Sequence, residues 1–236
     1  MQTMVLGAYA EYMKLPEEIV RHNVYRKPDI LSYKEAAILE PLACVMCGID
    51  QITVREDDTV LIVGAGAIGL MHLMVLRAMN VRRIIVSGRR TERLALASKL
   101  GADALINAEI EDTVERVMMM TEHRGADLIF ECTGKVDVWE QSTWMAARGA
   151  TVVLFGGCPK GTTATFDTAR LHYDQITLKG TFHFTRASVR KAYHLLVGRE
   201  IHVNGLISGE YPYRELKRVF DLLINGHGVK YALVPE

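Results

Sequence analysis

Neither sign of charge is in excess: 28 Lys+Arg balance 28 Asp+Glu over 236 residues, and the isoelectric point is near 7.1. No block of like charges breaks that balance, so nucleic acid and anionic membranes have no electrostatic reason to bind. Cysteine is scarce. The four present, Cys44, Cys47, Cys132 and Cys158, are too scattered for a disulfide framework, and reduced thiols in a cytoplasmic setting are expected. No basic residue precedes Lys14 and no small-residue cleavage pattern follows an apolar stretch, so the opening residues do not read as a secretion signal. Residues 60–76 lack charge and approach the length of a membrane span. Gly64, Gly66 and Gly69 divide that run and His72 sits in its second piece, so it reads as a buried strand, a tight turn and a buried helix. Internal repeats and low-complexity tracts are also missing.

What is present is an apolar content of 49%, ample for a core. Short β-rich runs at 59–63, 83–87, 104–107, 127–131, 151–155 and 176–179 alternate with helical stretches at 67–79, 92–100, 111–122 and 136–145. The runs are continuously apolar, as strands covered on both faces by crossover helices are. This rhythm predicts an α/β fold, a doubly wound parallel Rossmann sheet. The ends differ. Residues 1–40 carry Pro16, Pro28 and the polar stretch Arg21-His22-Asn23 and read as the edge of something else. Toward the other end, a helix over 213–225 stops at Gly226, where a C-cap favours glycine, and a last strand follows at 230–234. The expected division is therefore 1–40, 41–200 and 201–236.

Gly64-Ala-Gly66-Ala-Ile-Gly69 places G-x-G-x-x-G between a strand and a helix. Gly64 permits the turn, Gly66 lets the backbone approach a pyrophosphate, and Gly69 lets helix and strand pack closely. The N–H groups around Ala67 and Ile68, at the positive end of the helix dipole, then face the phosphates. Methyl-donor-binding and flavin-binding sheets share this turn, and a turn that binds nothing is the plain alternative. About twenty residues further on, an NAD site carries an acid for the adenosine ribose; Gly88 stands there instead, followed by Arg89 and Arg90, with Arg93 one turn later. Guanidinium groups suit the 2′-phosphate of NADP in charge and geometry. One charge-assisted hydrogen bond of roughly 1.5–3 kcal/mol gives about a tenfold or greater preference for NADP over NAD. A merely solvated arginine turn is the alternative.

Cys132, Thr133 and Gly134, and likewise Phe155, Gly156 and Gly157, fall at the C-terminal ends of expected strands, where open α/β sheets bind ligands. Small residues there are expected to keep space open for a cofactor, with ordinary strand-to-helix turns that need glycine as the plain alternative for any one of them. Cys44-x-x-Cys47 lacks a second pair and falls in an expected helix over 36–49, so buried thiols are favoured over a metal or redox site. His72 is expected to be a satisfied core residue, and Met118, Met119, Met120 and the methionines of 71–79 core filler. Glu40, a carboxylate in apolar company at a helix start, is either a dipole partner or a site residue.

Together, Gly7-Ala-Tyr-Ala-Glu-Tyr12, Glu40-Pro-Leu-Ala43, the glycine turn, Leu100-Gly-Ala-Asp103, Glu131-Cys-Thr-Gly134 and Val229-Lys-Tyr-Ala-Leu-Val234 resemble the zinc-type medium-chain alcohol and polyol dehydrogenases, nearest the sorbitol and threonine dehydrogenase branch. The resemblance runs through the whole chain in order. It implies that Glu40 stands at or near a catalytic zinc, that Gly156 and Gly157 lie beside the nicotinamide, and that Phe182 and His183 flank the nicotinamide half. It also implies remnants of a second, mostly β catalytic domain of chaperonin-10 type at both ends. The family's upstream cysteine ligand, Gly-His-Glu motif and four-cysteine zinc site have no counterpart here, and Glu40 alone cannot hold a zinc that needs about three protein ligands.

The implied activity is a zinc-assisted, NADP-preferring dehydrogenation of a secondary alcohol or polyol by a homo-oligomer, dimer or tetramer. This chain would supply mainly the cofactor-binding half. Two other readings stand beside it: a non-catalytic dinucleotide-binding module, and a zinc-independent quinone reductase, against which Glu40-Pro41 argues.

Overall fold

A computed structural model describes Tyr9, Ala10 and residues 12–235; Gly7, Ala8 and Glu11 of the opening similarity stretch lie outside the described residues. The chain begins with α1 (Glu17–Asn23), α2 (Tyr33–Ala36) and α3 (Leu39–Ile49). There follow β1 (Thr59–Val63), α4 (Ala67–Ala78), β2 (Arg83–Gly88), α5 (Thr91–Lys99), β3 (Ala104–Asn107), α6 (Thr113–Met120), β4 (Ala126–Glu131) and α7 (Val136–Ser142). Then come β5 (Ala146–Leu154), α8 (Thr168–Tyr173), β6 (Thr177–Gly180), α9 (Arg186–Val197), β7 (Ile207–Pro212), α10 (Leu216–Ile224) and β8 (Lys230–Val234).

Strands β1 to β6 form one parallel sheet in the order β3-β2-β1-β4-β5-β6. This is the doubly wound arrangement, and its order reverses between β1 and β4, where such sheets open a crevice at their C-terminal edge. Period-2 alternation divides the strands between two cores. Val60, Ile62, Ile84, Val86 and Phe130 pack on one side with α3, α4 and α9, and Leu61, Val63, Ile85, Ile129 and Val152 pack on the other with Val117, Met145 and the α7 and α8 side chains. Each fully buried Ile or Leu contributes about 1.5–3 kcal/mol. The first core also takes in Leu31 and Ile38, and Ile201, Val203 and Leu206. Beyond it, β7 and β8 pair in parallel with α10 as their crossover. Among the described residues, no helix is long and apolar enough to cross a membrane.

Local chemistry explains where the elements depart from expectation. Strand β5 starts at Ala146 rather than 151, because the ladder with β4 shifts register between Ala126 and Leu128 and Gly149 turns outward at φ 76, its N–H donating to the Asp174 carbonyl at 2.7 Å. The helix expected over 36–49 is two: Ser32 and Glu35 form a capping box that starts α2, and α3 begins afresh at Leu39. The 111–122 helix shortens to α6 because Asp112 caps it, accepting from the Glu115 N–H at 2.9 Å. The 136–145 helix ends at Ser142 and tightens into a 3-10 turn over Thr143–Met145. Helix α9 went unanticipated since its capping box, Thr185 with Ser188, has serine where Glu or Gln is usual. The polar 21–23 stretch is the end of α1, tied by an Arg21–Glu17 ion pair. Met119 is exposed rather than core, as is Met79, whereas Met71 and Met74 are buried.

Candidate functional site

Parallel register brings three strand ends level. Val63 pairs with Ser87 on one side and Glu131 on the other, so Gly64, Gly88 and Cys132 meet at one edge. The Gly64 N–H donates to the Ser87 carbonyl at 2.8 Å and the Cys132 N–H to the Val63 carbonyl at 2.8 Å. Gly64 adopts φ 112, which its missing side chain permits. A Cβ on Gly69 would collide with the Gly64 carbonyl oxygen, whereas one on Gly66 would meet nothing within 4 Å. The first glycine therefore makes the turn, the third seats the helix, and the second faces open space. No side chain caps α4 at Gly66, as is also true of α1, α3, α5, α7 and α10. The first N–H groups of α4 thus stay available to an anion.

This turn forms one wall of a cleft of about 610 Å³ that also contains Gly88, Arg89, Arg90, Arg93, Cys132 and Thr133. Arg89 and Arg90 are exposed and Arg93 half-buried. Burial pushes the Arg93 guanidinium below its ordinary range, and the like charge of Arg90 pushes it further. Glu111 and Asp112, across the cleft, are engaged already: Glu111 pairs with Arg116 at 2.8 Å and accepts from the Asn107 N–H at 2.8 Å, and Asp112 caps α6. A Cβ on Gly88 would lie 2.8 Å from that of Ala65, so an acidic residue could not stand there without moving the glycine turn.

The structure brings Gly64, Gly66, Gly88, Arg89, Arg90, Arg93, Cys132 and Thr133 together and sets Ala67, Ile68 and Gly69 behind them in the first turn of α4. Gly134 and Gly156 do not keep space open, contrary to expectation. Each faces the other's turn: a Cβ on Gly134 would lie 2.6 Å from the Gly157 carbonyl oxygen, and one on Gly156 would meet the Gly134 nitrogen. Gly157 alone of these faces open space. Phe155, Gly156, Gly157, Phe182 and His183 lie outside the arginine-lined cleft. Phe182 and His183 follow β6 on an exposed loop, with Phe182 86% exposed and His183 at φ 61.

Sequence reasoning passed over what Glu131 does. Its carboxylate is fully buried at the end of β4 and accepts from the Thr133 N–H at 2.7 Å, the Thr133 hydroxyl, the Gly134 N–H at 3.2 Å and the Trp139 Nε1–H at 2.9 Å. Its backbone carbonyl accepts from the Phe155 and Gly156 N–H groups at 3.0 and 2.8 Å. One residue thus holds both glycine turns. The buried carboxylate next to two turns was the available signal.

His72 on α4 is buried as expected but only half satisfied. Nδ1 lies 3.0 Å from the Ile68 carbonyl, while Nε2 has no partner, and Phe130 and Phe155 pack on the ring at 4.6 and 4.9 Å. Burial pushes its pKa down to about 4, against a smaller upward pull from the Ile68 carbonyl. Glu40 is exposed near the start of α3 and accepts from the Cys44 thiol at 3.5 Å. Burial, then the Glu40 carboxylate, push that thiol up to about 12. Cys47 is buried, as expected. Glu40 and Cys44 do not fit a zinc ion by themselves, for among the described residues no three His, Cys, Asp or Glu side chains gather to hold a metal.

A second cleft, of about 670 Å³, opens at the N-terminal edge of the strands. Its carboxylates are committed: Asp58 accepts from the Arg55 N–H at 2.7 Å, Asp127 from the Thr59 N–H at 2.8 Å, and Asp50 pairs with Lys191 at 2.6 Å.

A family model described as zinc-binding dehydrogenase matches residues 67–198. The chain is 29% identical over 219 residues to the uncharacterized zinc-type alcohol dehydrogenase-like protein YdjJ of Escherichia coli K12, covering 93% of this chain and 61% of that protein. It is 30% identical over 230 residues to D-arabitol-phosphate dehydrogenase of Enterococcus avium, covering 96% and 64%. Among solved structures, alcohol dehydrogenase TADH of Thermus sp. ATN1 matches with a TM-score of 0.88 at 27% identity, covering 98% of this chain and 66% of that one. A protein of Sinorhizobium meliloti 1021 described only as a zinc-binding dehydrogenase, bound to NADP, matches with a TM-score of 0.80 at 27% identity over 88% and 61%. The chain therefore spans under two thirds of the length of these curated relatives, 61% and 64%. From the matched wound sheet and its glycine turn, the chain belongs to the zinc-binding dehydrogenase family.

Proposed function

We propose that this chain is the cofactor-binding part of an NADP-preferring oxidoreductase that moves hydride between the nicotinamide and a secondary alcohol or polyol. The observation that carries the reading is the uncapped start of α4 facing a cleft whose other wall bears Arg89, Arg90 and Arg93. Pyrophosphate fits the first feature and a 2′-phosphate the second. The NADP-bound relative supports the same choice of cofactor.

In this reading the chain's own residues bind and orient. The N–H groups at Gly66, Ala67 and Ile68 hold pyrophosphate, Gly69 keeps the helix close enough for them to reach, and the arginines fix the adenosine end. The Glu131-bound turns carry Thr133, Gly134, Phe155, Gly156 and Gly157 toward the nicotinamide half, with Phe182 and His183 at its margin. Residues 41–200 carry the cofactor, and 1–40 and 201–236 continue toward a catalytic domain, although Leu31, Ile38, Ile201, Val203 and Leu206 pack into the core of the sheet and Gly226 lines the cleft. A zinc ion, where present, polarises the substrate oxygen. Glu40 would approach such an ion only beside ligands that do not gather around it among the described residues. Exposed Tyr12, Val20, Val24, Tyr33 and Phe182 favour self-association, to a dimer or tetramer.

Calorimetric titration with NADPH and NADH tests the proposal. NADPH should bind at least about tenfold more tightly, and Arg89→Ala should shrink that margin. Absence of heat with either nucleotide overturns it. A non-catalytic dinucleotide-binding module is the second reading. Saturable NADPH binding without alcohol-dependent turnover, even with zinc supplied, would select it.

A further inference from the structure

The arginine cleft has a wall that no local motif announced. Leu223 and Gly226, from the end of α10 and the turn after it, line the cleft opposite the glycine turn. An ideal Cβ on Gly226 would lie 2.7–2.9 Å from the Nη2, Cζ and Nε atoms of Arg90. The guanidinium therefore rests on the bare backbone of residue 226. Two residues on, the Gly228 carbonyl accepts from Arg93 Nε at 2.9 Å. The turn is itself anchored. Gly226 and Gly228 take φ 81 and 63, the Val229 N–H donates to Ser208 Oγ at 2.7 Å, and a Cβ on Gly228 would lie 2.6 Å from the Tyr231 hydroxyl.

Arg90 and Arg93 are thus both seated on the backbone of residues 226–228, while Glu111 and Asp112 across the cleft are engaged elsewhere. Neither guanidinium is in an ion pair among the described residues, although the Glu92 carboxylate lies close enough for Arg93 to feel its charge. A phosphomonoester dianion matches this pair, because two guanidinium groups offer parallel N–H donors to its oxygens.

We propose that the turn over residues 225–228 is the outer wall of a phosphomonoester subsite, positioning Arg90 and Arg93 so that the segment after α10 sets the preference for a 2′-phosphorylated adenosine. This rests on the dinucleotide reading given above and adds to it a positioning element well over a hundred residues away in sequence. Gly226 is the positioning residue. Any side chain there displaces Arg90, a flexible exposed group, so the fold survives while the paired geometry is lost.

The full chain is titrated calorimetrically with adenosine 2′,5′-bisphosphate and with adenosine 5′-monophosphate. Wild type should bind the bisphosphate at least about tenfold more tightly. Gly226→Ala should cut that ratio severalfold or more while leaving 5′-monophosphate affinity within about twofold, and Arg93→Gln should cut the ratio as well. Circular dichroism checks folding. Should Gly226→Ala unfold, Gly226→Asn keeps a residue tolerant of positive φ and still pushes on Arg90. In an Arg90→Gln background, the Gly226 substitution should have no further effect. An unchanged ratio in a folded Gly226 variant overturns the role of the turn while leaving the NADP reading intact. Equal binding of both probes by wild type removes the subsite, and binding of neither overturns the dinucleotide reading along with it.

Discussion

Replacing Glu131 by Gln keeps the volume of a fully buried side chain and changes only what it accepts. The carboxylate accepts from Thr133 N–H, Thr133 Oγ1–H, Gly134 N–H and Trp139 Nε1–H. The amide does least harm with its NH2 at the Oε2 position, since Trp139 Nε1–H retains the Gly156 carbonyl at 3.0 Å. Even so, one charge-assisted bond of about 1.5–3 kcal/mol is lost and the rest fall toward about 0.5–1.5 kcal/mol each. Relief from burying a charge offsets part of this. The net expectation is a loss of about 2–3 kcal/mol, which lowers a urea midpoint by about 1 M at an m-value of about 3 kcal/mol per M. NADPH affinity should fall in parallel, because both turns loosen. Glu131→Leu, which orphans every donor but the Trp139 Nε1–H, should lose more, about 3–5 kcal/mol. A Gln variant within about 1 kcal/mol of wild type, or a Leu variant more stable than wild type, refutes the reasoning.

Three further outcomes follow from the same kind of argument. Burial holds the His72 imidazole down at about 4 against an ordinary 6.5, so its contribution is fully present above pH 6.5 and lost as pH falls toward 4. About 3 kcal/mol is at stake, and His72→Leu should flatten that part of a stability-versus-pH curve measured by chemical denaturation. Glu35 feels burial raising its pKa, but Ser32 and Arg199 overcome it and hold the carboxyl at about 2, so its stabilisation is present above 4.5 and lost as pH falls from there toward 2. Arg199→Met should cost about 3 kcal/mol at neutral pH and remove part of that acid dependence, read from thermal unfolding. Gly69→Ala drives a methyl into the Gly64 carbonyl oxygen and toward Ile62 Cγ2 at 3.2 Å. It should destabilise by about 1–3 kcal/mol and abolish NADPH binding in a titration; a stable variant that binds normally refutes the assigned role of this glycine.

Sequence by itself determined the wound sheet and the phosphate turn. Both are local: Thr59 and the four consecutive apolar residues after it, all buried, make β1, and glycines at fixed spacing make the turn, with Gly64 at a φ that favours glycine. The line of arginines after β2 was legible for the same reason, as a neighbourhood of charge along a few residues. Tertiary structure alone decided which side chains share a cleft. That Glu131 holds the 155–157 turn as well as its own, and that Gly226 lies under Arg90, are consequences of register and of where α10 docks. Helix α9 and the true start of β5 were hidden because their caps and bulges are satisfied by partners far along the chain or by residue types that local rules rank low. His72 shows the same divide. Its burial could be read from an apolar helix, but its unpartnered Nε2 depends on Phe130 and Phe155 closing over it, and no pattern within one helix reports what a neighbouring strand brings.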